Sequence, residues 1–81
     1  MKAIRVEYSG EGELPAPGSY WQMHGNWWAM TPNGMLANLV QHRVEENDDG
    51  SITVAPSILT TTAGGGPSWH GHLEDGVWRE C

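Results

Sequence analysis

Phenylalanine is missing from this chain, cysteine occurs once, and only four basic residues stand against ten acidic ones in 81 positions. Each shortage closes off something. A single cysteine, Cys81, excludes an internal disulfide framework and every zinc pattern built on several cysteines, and it suits a reducing cytoplasm. The shortage of Lys and Arg leaves a formal charge of −6, a surface that repels phosphate backbones, so nucleic acid is not an expected partner. A cationic protein surface is compatible with that charge. No apolar run is long enough for a signal peptide or a membrane span, so no membrane association is expected and the sequence reads as cytoplasmic. At this length there is room for one domain, residues 1–81, which buries only ~60% of the surface its unfolded chain would expose. Without phenylalanine, Trp21, Trp27, Trp28, Trp69 and Trp78 must supply most of the aromatic packing.

Long helical periodicity is absent as well, because eleven glycines and five prolines cut the chain into short pieces. What is present is strand and turn chemistry. "AIRVEY" alternates, with Ile4, Val6 and Tyr8 on one side and Arg5 and Glu7 on the other. Residues 9–19 read as an exposed loop, and 20–30 as two aromatic strands bent at Gly25-Asn26. "TPNG" is a turn, and "MLANLV" allows one helical turn. "VQHRVEENDDGSITVA" reads as a hairpin with Val40, His42 and Val44 on one face of its first arm and "NDDG" at its tip. A second hairpin follows in "HGHLEDGVWRE", turning at Asp75-Gly76, and 60–68 forms a flexible glycine-rich connection between the two. The expected fold is all-β or strongly β-rich: a small antiparallel sheet of short strands and hairpins, curled on itself, with little helix.

Most of the reactive side chains fall between residues 52 and 78. Ser57 follows Ala55-Pro56, and a proline cannot donate to a ladder, so pairing is expected to end there and leave the serine accessible. A nucleophilic serine needs a base within hydrogen-bond reach and donors for the oxyanion. His70 opens the next strand, and Gly64, Gly65 and Gly66 can present backbone N–H groups. Spacing alone favours reading Ser57 as a turn serine, since serines after prolines are common in turns and there is no G-x-S-x-G elbow. His70 and His72 share a strand face, as a zinc pair would, with His24, His42 or Cys81 as further ligands. No second pair with metal spacing exists, so no metal and no cofactor is expected. His42, between two valines, reads as a partly buried core histidine. Tyr20, Trp21, Trp27 and Trp28 read as core more readily than as a binding platform, although "NWW" cannot place both rings on one strand face.

"TVAPSIL", the glycine-rich gap and "WHGHLEDG" together resemble the BubE-type domain family of bacterial ubiquitin-like conjugation operons and phage genomes. Thr53, Pro56, Ser57 and Ile58 match its T-x-x-P-S-I strand end, His70 its histidine, and Asp75-Gly76 its turn. The likeness covers roughly residues 20 to 80 and extends to small proteins of actinobacterial phages. It implies a serine peptidase acting on a protein or peptide, with Ser57 as nucleophile and His70 as general base. Asp75, His42 or His72 is then left to orient His70. The chain departs from the family in having no upstream cysteine cluster and in carrying Trp69 where cysteine or serine is usual. The alternative is a catalytically silent phage accessory or anti-defence protein that binds a host or virion protein through an acidic, Trp-bearing surface.

Overall fold

The computed structural model describes residues 1–61, 64 and 67–81. The all-β reading holds, as two four-stranded sheets and with no helix among the described residues. One sheet runs β1 (Ile4–Arg5), β2 (Ser19–Met23), β3 (Asn26–Met30), β4 (Leu36–Asn38). The other runs β5 (Arg43–Glu46), β6 (Ile52–Thr61), β7 (Pro67–Glu74), β8 (Val77–Glu80). Neighbours are antiparallel except β1 with β2. Among the described residues no helix is long and apolar enough to cross a membrane.

Turn chemistry sets the hairpins. His24-Gly25 and Asp75-Gly76 each join adjacent strands with both central residues at positive φ (53° and 81°, 50° and 73°). That geometry matches the right-handed twist of the strands it joins. At the β5–β6 tip Asn47 and Ser51 close the loop (2.7 Å) and Gly50 supplies a φ of 86°.

The sheets pack face to face. Tyr20, Ala29, Ala37 and Leu39 from one meet Ile52, Val54, Ile58, Trp69, Leu73 and Trp78 from the other. Trp69 and Trp78 stack edge to face, 5.3 Å between centroids, the arrangement the ring quadrupoles favour. The N-terminal segment seals one side by bonding to both sheets. Trp78 donates to Met1 and Ala3 to Gly76, after which Ile4 donates to Gly18 and Val6 to Tyr20.

That double attachment corrects the expected alternation at the N-terminus. Ala3 faces the core, Ile4 is 54% exposed, and Tyr8 instead meets Trp21 edge-on at 5.4 Å. "MLANLV" contributes no helical turn; Leu36–Asn38 pairs with β3. The hairpin's first arm begins only at Arg43: His42 donates its N–H back to Leu39, and Val40 is exposed. Of the loop expected at 9–19, Ser19 is buried and begins β2. Of the connection expected at 60–68, Thr60 and Thr61 belong to β6 and Pro67 and Ser68 to β7.

Candidate functional site

Ser57 does not end a strand. β6 continues through Pro56 to Thr61. Val54 pairs with Leu73 and Ile58 with Gly71, so Ala55, Pro56 and Ser57 together oppose His72 alone. Proline is tolerated because it lies in this bulge, where its missing N–H forfeits no bond to β7. After the bulge the outward face of β6 carries Ser57 and Leu59, and the neighbouring outward positions of β7 are His70 and His72.

The bulge brings Ser57 Oγ to 2.9 Å from His70 Nε2. With the hydroxyl donating, Nε2 is the acceptor and the ring proton resides on Nδ1. Leu59 is the direct cross-strand partner of His70, so the serine reaches it diagonally. His70 is exposed and Ser57 half-buried, which leaves the hydroxyl open to solvent on one side. His42 holds the other end of the serine: its Nε2 lies 3.1 Å from the Ser57 carbonyl. A carbonyl only accepts, so His42 carries its proton on Nε2, and its buried Nδ1 has no partner.

Cys81, offered by the sequence only as a further zinc ligand, is a direct neighbour of His70. Its N–H donates to the His70 carbonyl (2.9 Å), and its thiol lies 3.9 Å from His70 Nε2. The signal was there. Counting outward from a two-residue turn at Asp75-Gly76 pairs Glu74 with Val77, His72 with Arg79, and therefore His70 with Cys81.

Other expected participants lie apart. Asp75 sits five positions beyond His70, roughly 16 Å of extended chain away. Its N–H is bound to Thr53 Oγ1 (2.9 Å), which in turn donates to the Asp75 carboxylate (3.3 Å), so it braces the hairpin tip and does not orient His70. His72 faces the same side as His70, opposite Arg79, and Arg79 is ion-paired with Glu74. Gly65 and Gly66, offered as oxyanion donors, lie outside the described residues, and Gly64 is exposed. Among the described residues no three His, Cys, Asp or Glu side chains converge on a metal position. No tryptophan is fully exposed: Trp21, Trp69 and Trp78 are buried, Trp27 and Trp28 half-buried, with Arg5 5.0 Å over the Trp27 ring. The partly exposed rings are therefore Trp27 and Trp28 on β3, while Trp69 and Trp78 belong to the core between the sheets.

Three hollows among the described residues, of about 630, 410 and 210 Å³, are lined by neither Ser57 nor His70. The pair stands on an open sheet surface. The displaced titrations lie elsewhere, at the β5–β6 tip. Burial pushes the Tyr20 phenol up, and hydrogen bonds from Ser51 hold the Asp49 carboxyl down. No protein-family model, no curated protein and no solved structure matches the chain.

Proposed function

We propose that the chain is a serine hydrolase of the peptidase kind, working through a Ser57–His70 dyad. The observation that carries this reading is the 2.9 Å contact between Ser57 Oγ and an exposed imidazole nitrogen. In the proposed reaction Oγ attacks a carbonyl carbon while His70 Nε2 takes the hydroxyl proton. His70 then returns that proton to the leaving amine, and an acyl group remains on Ser57. Water, deprotonated by the same nitrogen, releases the acid and restores the serine. The His42 bond to the serine carbonyl holds the backbone of the bulge from which Oγ is presented to the ring. The resemblance to BubE-type domains at Thr53, Pro56, Ser57, Ile58 and His70 supports the same roles, and an open surface suits a polypeptide substrate better than a small molecule.

A fluorophosphonate probe tests the reading. Labelling of the wild-type chain, with the adduct located on Ser57, should fall by about 10²- to 10⁴-fold in His70→Ala and vanish in Ser57→Ala. Equal labelling of wild type and Ser57→Ala, or an adduct on another residue, sinks the dyad.

A further inference from the structure

We propose that the open edge of β6 beside Ser57 docks an extended, basic polypeptide segment by strand addition. The inference deepens the serine-hydrolase reading, and rests on it, by naming the substrate class. β5 begins at Arg43, opposite Ala55, while β6 runs on to Thr61, so among the described residues the second half of β6 pairs with a strand on only one side. The ladder shows which groups are left over. The His70 carbonyl accepts from Cys81, so the His70 backbone faces β8. In an antiparallel ladder the residue opposite such a position turns its own N–H and C=O the other way. That residue is Leu59. Among the described residues no strand pairs with it on that side and no turn or loop bond reaches it. Leu59 as a whole is 61% exposed. Two positions earlier on the same side, the Ser57 carbonyl is already taken by His42.

An unpaired N–H and C=O in register are a template for another main chain. A segment pairing with Leu59 lies one strand spacing, about 4.8 Å, from the backbone that carries Ser57. It can also cover the exposed leucine with an apolar side chain. The net charge of −6, taken over the whole chain, draws a Lys- or Arg-bearing segment toward the molecule and opposes pairing with a second copy of itself.

The test is an amide-resolved NMR titration of the wild-type and Ser57→Ala chains, the latter unable to turn over peptide. The probe is a capped eight-residue peptide of alternating valine and lysine. Shifts should centre on the amides of Ile58, Leu59 and Thr60. N-methylation of alternate peptide amides, which removes its donors, should weaken binding about tenfold or more, and glutamate in place of lysine should weaken it comparably. Leu59→Pro deletes the free N–H at a position that makes no internal bond and should also lose docking. If that variant does not fold, the N-methylated peptide on the wild-type chain decides the matter. Equal affinity of the N-methylated peptide, shifts away from β6, or a free dimer with a protected Leu59 amide would each overturn the proposal. Docking is read at Leu59, so it stands or falls separately from fluorophosphonate labelling at Ser57.

Discussion

The two faces of the β5–β8 sheet are cut from alternate residues of the same strands and have opposite characters. Inward lie Ile52, Val54, Ile58, Trp69, Leu73 and Trp78, none more than 5% exposed. Outward lie Ser57, Leu59, His70, His72 and Arg79, none of which lines the three hollows described above. The difference teaches how so small a chain holds a reactive pair: backbone register places the outer groups, and inner packing fixes the register. Gly71 marks where the two demands meet. It points inward between the two histidines, and a Cβ there would strike the Trp69 ring and the Arg79 carbonyl. The H-x-H spacing that suggests a metal pair is His-Gly-His because the core needs the middle position empty.

The strongest way to break this comparison is to empty one inner position and strip its outer neighbour. Leu73 is fully buried, and Leu73→Ala should cost about 2–5 kcal/mol, a large part of the stability of a domain this size. His72→Ala, one residue away on the other face, should stay within about 0.5 kcal/mol. Urea unfolding of both variants measures the contrast, and similar losses would mean that the faces are not separate in function.

A smaller effect is expected at Asp75. Asparagine tolerates positive φ and keeps an acceptor for Thr53, so Asp75→Asn should cost less than about 1 kcal/mol and leave Ser57 labelling intact. Loss of labelling with the fold preserved would restore Asp75 as an orienting group and count against a dyad.

Much of this molecule was legible in the sequence because turn chemistry is local. Asp75-Gly76 and "NDDG" announce their turns, and the alternating segments between them announce strands. The site was half legible. Ser57 and His70 were identifiable as residues, but the contact between them depends on a bulge that no local pattern encodes. Pro56 argued for a strand end, because a missing N–H matters only where a partner waits for it, and across from Pro56 the ladder has slipped. His42 was placed on a strand face by its spacing from two valines, whereas the turn back to Leu39 carries its ring to the serine carbonyl. The N-terminal alternation failed for a similar reason, since bonds to two sheets decide which side of that segment is buried.

The smallest expected effect lies at the β5–β6 tip, away from both faces, and it separates turn chemistry from site chemistry. Ser51 Oγ donates to Asp49 Oδ1 at 2.6 Å while accepting from Asn47 Nδ2 at 2.9 Å, and the Ser51 N–H adds a second bond to the same carboxylate oxygen at 3.0 Å. The hydroxyl bond is the largest cause of the lowered Asp49 pKa, followed by the backbone bond. Because folding lowers this pKa, the stabilisation is fully present above the ordinary aspartate range, near ~3.9. It fades as pH falls through the folded value, so acid weakens this turn. Ser51→Ala deletes the hydroxyl and keeps the amide, so the Asp49 titration should move up toward the ordinary range without reaching it, and the acid limb of the stability curve should flatten. Carboxyl ¹³C shifts followed through the acid range measure the midpoint in each chain. An unchanged midpoint would show that the hydroxyl is not what holds the carboxylate, and a change in Ser57 labelling would show that the tip and the outer face are coupled after all.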